Sequence, residues 1–237
     1  RKKIFKNQKG LLCLSKKTAQ SFGSLMKNRI AKSISWGVDQ KFYEKITQHI
    51  DNSLEQNIVL TCGRTARDLK TFEKAIKKAG IRGHIICPSS DKVSDGRSDN
   101  FLSYETTSYN MGKKENTYLS MANIMGRVKV MAIPLEKQST LAGLTSLMDC
   151  LGFGKPVIMT RNACIDIDIE AEGIGKWVDP YDVSGWVKAI DWHYQNEEKS
   201  KEMARKAKVL GKQMSSETFG TKINNLILKS CKNWKYR

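Results

Sequence analysis

The chain has 237 residues, 40% of them hydrophobic and 27% charged, with a formal net charge of +17 at pH 7. That size and balance provide for a buried core and exclude a disordered chain. No apolar run approaches the length of a membrane-spanning helix, and no stretch reads as a secretory signal.

The charge sits at the ends. Residues 1–35 hold ten Lys or Arg and no acid, and residues 226–237 hold four and no acid. Such arms suit nucleic acid, an anionic membrane surface, or a face that is simply solvated or covered by something else. A nucleic-acid module interleaves aromatic residues with its basic runs. Here only Phe5 and Phe22 accompany the first run, and Trp234 and Tyr236 flank Lys235 in the last. Cys13, Cys62, Cys87, Cys150, Cys164 and Cys231 form no C-x-x-C pair, and His49, His84 and His193 lie far apart. Reduced, buried thiols are therefore expected, with no metal site and no disulfide.

Taken in chain order, "GLLCLS" reads as a strand and about Thr18–Asn28 as a helix, followed by a turn at Gly37 in "SISWGVDQKFY". "NIVLTC" is a strand. "ARDLKTFEKAIKKAG" is a helix with Leu69, Phe72, Ala75, Ile76 and Ala79 on one face and Gly80 as its stop. "GHIICP" is the next strand, and the polar stretch 89–101 reads as a long loop or irregular insertion. "ENTYLSMANIMG" is a helix, "VKVMAIPL" a strand, "LAGLTSLMDCL" a helix and "KPVIMT" a strand. A short helical piece near Ile165–Ala171 is expected before "GKWVD", and "VSGWVKAIDWHYQ" begins the closing helices. Val- and Ile-rich strands without alternation, separated by helices of this length, predict an α/β fold: a doubly wound, Rossmann-like parallel sheet over about 40–215.

Ligands of such a sheet bind at the carboxyl ends of the strands. Three segments follow predicted strand ends: "CGRTARD", "EKQSTLAGLTS" and "RNACID". Gly143, Leu144 and Thr145 fall at a helix start, where amides without intrahelical partners and the helix dipole favour a phosphate. Thr145 and Asp149 share a helix face. A hydroxyl near a phosphate and a carboxylate one turn deeper suit a nucleoside diphosphate and its ribose diol; a helix-entry Thr and a solvent-facing Asp are the plain alternative. Gly63 lets the backbone turn, and Arg64 and Arg67 can match diphosphate oxygens bidentately, unless they are merely solvated. "GFGKP" is not a phosphate-binding P-loop. Its order is helix, glycine, strand, and Pro156 stands where Ser or Thr is needed. Gly154 reads as a helix C-terminal residue and Pro156 as a strand start.

In this order, "SISWGVDQKFY", "VLTCGRTARDLKTFEKAI", "VKVMAIPL…STLAGLTSLMDCLGFGKPVIMT" and "GIGKWVDPYDVSGWVKAI" resemble the C-terminal, donor-binding half of glycosyltransferase family 4. Those are retaining enzymes of the two-domain GT-B fold, and the resemblance runs from about Ser33 to the end. It implies a nucleoside-diphosphate-sugar donor and no cofactor or obligatory metal. The donor diphosphate would be held by Gly63, Arg64, Arg67, Gly143, Leu144 and Thr145, with Arg64 and Arg67 as the catalytic cations. It further implies Asp149 on the ribose, where relatives commonly carry Glu, and Asn110 and Met111 beside the nucleobase. Many members carry a second glutamate eight residues before the ribose-binding one; here that position is Leu141, so the donor sugar is left open.

By the same resemblance, residues 1–35 would be a remnant of an N-terminal acceptor domain and 36–215 the donor domain. Residues 216–237 would be a helix crossing back to the acceptor domain. The expectation is a fragment that binds nucleotide weakly and transfers nothing without the acceptor half. The whole enzyme would act in cell-surface polysaccharide synthesis on a glycan or lipid-linked acceptor. It would be cytoplasmic, peripheral at the inner face of an anionic membrane, and without nucleic acid as partner. A nucleotide-sugar epimerase of similar fold and a basic nucleic-acid-binding module are the alternatives.

Overall fold

The computed structural model describes residues 10–25, 30–50, 56–88, 100–106 and 117–232. Two strands, β1 (Gly10–Cys13) and β2 (Ile30–Ser33), pair in parallel across α1 (Lys16–Leu25). There follow α2 (Gln40–Thr47), β3 (Gln56–Cys62), α3 (Leu69–Ala79), β4 (Gly83–Cys87), β5 (Leu102–Thr106) and α4 (Thr117–Arg127). The rest is β6 (Val128–Ile133), α5 (Leu144–Phe153), β7 (Val157–Thr160), β8 (Gly175–Val178), α6 (Val183–Gln195), α7 (Glu197–Gln213) and α8 (Ser216–Lys232).

The six strands β3 to β8 form one sheet in the order β5-β4-β3-β6-β7-β8, every pair parallel. Numbered within the sheet, this is the 3-2-1-4-5-6 order of the Rossmann fold, whose chain direction switches between β3 and β6. The doubly wound α/β expectation is met.

Both faces are buried, as a parallel sheet requires. Along β6 the residues divide between two cores: Met131 and Ile133 join one cluster, Val130 and Ala132 the other. The second cluster takes Leu69, Phe72, Ala75 and Ile76 from α3 and Trp186, Ala189 and Ile190 from α6. Phe72 and Trp186 meet edge to face there, with centroids 5.9 Å apart. The first cluster takes Tyr43 from α2, Ala122 and Met125 from α4, most of α5, and Ala207 from α7. Cys13, Cys62, Cys87, Cys150 and Cys164 are all buried.

Local signals end the helices where expected. Gly80 and Gly154 close α3 and α5 in the left-handed conformation, at φ +66° and +65°. The helix expected near Ile165–Ala171 is absent and turns take its place. Asp168 Oδ1 accepts from the backbone N–H of Glu170 and of Ala171 and from Trp177 Nε1, so the aspartate offers the backbone a local alternative to helix. The elements β2, α2 and β5 are additions to the sequence-based expectation.

The chain returns to its start at one place. Val38 N–H donates to Met214 O at 2.6 Å and Ser216 N–H to Val38 O at 2.8 Å. The segments leading into α2 and α8 thus run side by side. Across the molecule, Lys16 N–H at the start of α1 donates to both carboxylate oxygens of Asp166, at 3.1 and 2.9 Å.

Candidate functional site

At the switch point the loop after β3 and the loop after β6 are joined. Asp68 N–H donates to Pro134 O at 3.2 Å, Glu136 N–H to Ala66 O at 3.1 Å, and Arg67 bridges antiparallel to Leu135. The loop after β7 is tied to the same place. Asn162 Nδ2 donates to the carbonyls of Thr140 and Ala142, and Thr160 Oγ1 accepts from Leu135 N–H at 2.9 Å. Three strand-end loops therefore form one braced rim.

At the centre of that rim α5 begins. Its N-cap is Gly143, at φ +86° and without any side-chain cap. The left-handed backbone demands glycine there, and a Cβ would stand 2.7 Å from Met159 Cε, the movable end of a side chain. The first intrahelical bond is Leu147 N–H to Gly143 O at 3.0 Å. Among the described residues, no backbone carbonyl accepts from the amides of Leu144, Thr145 or Ser146. Thr145 is exposed while Leu144 and Ser146 are buried. Uncapped amides at a helix N-terminus, beside an exposed residue, form an anion-ready edge.

Arg67 reaches this edge from below. Its Nη2 donates to Ser146 Oγ at 2.8 Å and to Cys62 O at 3.3 Å, and its Nη1 to Thr65 O at 3.0 Å. Nε is buried and meets no acceptor among the described residues. The guanidinium lies so close to Gly63 that a Cβ there would come within 2.2 Å of Nη2, and Gly63 has φ +139°. Burial lowers the Arg67 pKa, while Cys62, Cys150 and Asp149 pull it back up; an arginine stays cationic regardless. Arg64, on the same loop, is exposed at the rim.

Asp149 lies one turn further along α5 from Thr145. Its Oδ1 accepts from Tyr43 Oη at 2.5 Å and from Tyr118 Oη at 2.6 Å, and the two hydroxyls are 3.1 Å apart. Burial raises the carboxyl pKa, and the two tyrosines and Arg67 offset part of that rise. The same burial and the neighbouring carboxylate raise both tyrosines. Cys62 is pushed up to about 12, chiefly by burial, and is a thiol rather than a nucleophile at neutral pH.

The sequence-selected residues thus fall into one region: Gly63, Arg64 and Arg67 on one loop, Gly143, Leu144 and Thr145 at the helix entry, Asp149 one turn on. Leu141 is half-buried against the core beside them. Asn110 and Met111 lie outside the described residues. Ser146, which takes Arg67, and the pair Tyr43 and Tyr118 are not among the residues selected from sequence. Ser146 had a local signal, a hydroxyl in the first turn of the chosen helix. The tyrosines had none, being 106 and 31 residues from Asp149. Among the described residues no group of three or more His, Cys, Asp or Glu is placed to hold a metal ion, and no helix is long and apolar enough to cross a membrane.

No protein-family model matches the sequence, and no curated protein matches it. Solved structures do share the fold. Sucrose-phosphate synthase from Thermosynechococcus elongatus superposes with a TM-score of 0.75 at 15% identity, over 98% of this chain and 61% of the synthase. A glycosyltransferase from Rickettsia africae ESF-5 gives 0.74 at 14% identity, over 98% of this chain and 67% of that one. Anabaena HepE, in complex with UDP and glucose, gives 0.69 at 11% identity, over 92% and 62%. The chain spans about three fifths of the length of the first of these. The architecture is therefore the Rossmann-like, six-stranded parallel sheet seen in GT-B glycosyltransferases.

Proposed function

We propose that this chain is the donor-binding part of a glycosyltransferase that takes its sugar from a nucleoside diphosphate. The observation that carries the proposal is the buried Arg67 guanidinium, 2.8 Å from Ser146 in the first turn of α5, beneath three amides without a backbone acceptor. A cation and a helix N-terminus converge on one point at the switch of a Rossmann sheet, where the fold rule places a ligand. That combination favours a diphosphate. In transfer, negative charge builds on the departing diphosphate, and fixed amides with Arg64 and Arg67 would lower that barrier by several kcal/mol. The exposed Thr145 face leads to Asp149, which suits the ribose diol. The nucleotide complexes of a fold neighbour, HepE with UDP and with UDP-glucose, support the same ligand class.

Within this proposal the chemistry is retaining and family-4-like, without an obligatory metal. The β1-α1-β2 unit, a two-stranded parallel sheet with Leu12 45% exposed, belongs to an acceptor-binding domain. Parallel sheets are ordinarily covered on both faces, and among the described residues this one is not. The acceptor is a glycan or lipid-linked saccharide of cell-surface polysaccharide synthesis, reached at the inner face of an anionic membrane through the basic ends.

Calorimetry of the chain with UDP, ADP and GDP tests the donor site. Arg67→Ala is expected to weaken the preferred nucleotide about tenfold or more, since a charge-assisted hydrogen bond is at stake. Arg64→Ala is expected to weaken it less, as its arginine is exposed. Tight binding of duplex DNA with no response to any of the three nucleotides would overturn the proposal in favour of a basic nucleic-acid module.

A further inference from the structure

Two tyrosines from different helices converge on a single carboxylate oxygen beside the proposed ligand. We propose that Tyr43 and Tyr118 are positioning residues: together they hold Oδ1 of Asp149 and so present Oδ2 to the ribose diol of a bound nucleoside diphosphate. This rests on the donor-site proposal above.

A carboxylate oxygen has two acceptor positions, and on Oδ1 both are taken, by Tyr43 at 2.5 Å and Tyr118 at 2.6 Å. Hydrogen bonds to an ionised acceptor are the strong kind, so they set the rotamer of the short aspartate side chain. Among the described residues nothing donates to Oδ2. Asp149 is half-buried rather than sealed and shares the face of exposed Thr145, about 6 Å along the helix. Oδ2 is not among the buried unpartnered atoms, so it stays open to solvent and within reach of a ligand. The vicinal 2′- and 3′-hydroxyls of a ribonucleotide supply two donors to one oxygen, and that complementarity identifies the ligand group.

The tyrosines are themselves fixed, so their hydroxyls cannot follow a wandering aspartate. Tyr43 is 6% exposed and packs edge to face on Phe153, with centroids 5.0 Å apart, and on Phe42 at 5.2 Å. Its ring occupies the space a Cβ of Gly152 would need, coming within 2.5 Å. Tyr118 leans on Phe42 at 5.6 Å. Tyr43 also stands four residues beyond Asp39, the cap of α2, and hence close to the Val38–Ser215 crossing. The aspartate is thus braced from the segment that joins the two parts of the fold.

The test is calorimetry of the full chain with UDP and 2′,3′-dideoxy-UDP, with GDP and its dideoxy form in parallel. The wild-type chain is expected to prefer the ribose form about tenfold or more, and Asp149→Ala to abolish the preference. Tyr118→Phe and Tyr43→Phe keep the rings and are each expected to reduce the preference to about two- to threefold, with dideoxynucleotide affinity unchanged. Either of two results overturns the assignment: phenylalanine variants that keep the full preference, or variants that lose affinity equally for both forms, as a merely structural role would give. A wild-type chain that binds neither these four nucleotides nor ADP overturns the donor-site proposal itself, and this inference with it.

Discussion

His193, far from the rim, shows how strongly this interior disfavours an unpaired charge. It is fully buried on α6, its Nδ1 hydrogen-bonds with Ser200 Oγ at 2.8 Å, and its Nε2 meets no partner among the described residues. Burial first, then Lys176 and Lys129, lowers its pKa from 6.5 to about 4. The unfolded chain therefore binds a proton at a pH where the folded chain still refuses it. Stability is full above about pH 6.5 and falls as pH drops toward 4, by at most about 3 kcal/mol from this group. Urea unfolding at pH 7, 6 and 5 should show that fall, and His193→Gln should flatten it. An unchanged slope in the variant would remove the histidine as its source. Asp149 behaves in the opposite sense, since its raised pKa means that the charged form is held against a desolvation cost. The fold tolerates that cost at the rim, where a ligand can repay it.

At the scale of the element, α5 is where stability and binding meet. Its start needs a glycine for the left-handed backbone, and a Cβ there would also push on Met159 Cε and Leu135 Cδ1. Gly143→Ala is expected to cost about 1–2 kcal/mol of stability and to displace the three amides, with loss of nucleotide affinity. Gly80→Ala is the matched control. It has φ +66° but no atom within 4 Å of a new Cβ, so it carries the backbone strain alone, about 1 kcal/mol, and leaves nucleotide affinity intact. Denaturant titration and calorimetry of the two variants separate strain from displacement. Equal affinity in both would mean that the entry geometry of α5 is irrelevant to binding.

For the whole molecule, the crossing at Val38 and Ser215 sets how the ends of the chain are held. Gly37 lies against that crossing so closely that a Cβ would stand 2.3 Å from Ser215 O, a backbone atom that cannot swing aside. Gly37→Ala is expected to separate the two segments and to lower Tm by about 5–10 °C in a calorimetric scan. A change of a degree or less would show that the crossing is loosely packed.

Much of this was open to local inspection. Alternating apolar strands and helices gave the parallel sheet, because a strand buried on both faces must be apolar throughout. Glycines marked the ends of α3 and α5 and the entry of α5, because only glycine accepts those backbone angles without strain. Other features had no local signature. Among the described strands the edge strand β5 has a single neighbour, and it follows a polar stretch, while β2 owes its form to pairing with β1. At the candidate site the sequence supplied the helix entry, the two arginines and the acid. Only the tertiary structure turned Arg67 onto Ser146 and brought Tyr43 and Tyr118 onto Asp149. The reason is physical: backbone conformation and apolar period are set by neighbouring residues. Which side chain completes a buried hydrogen bond is set by the packing of helices that are distant in the chain.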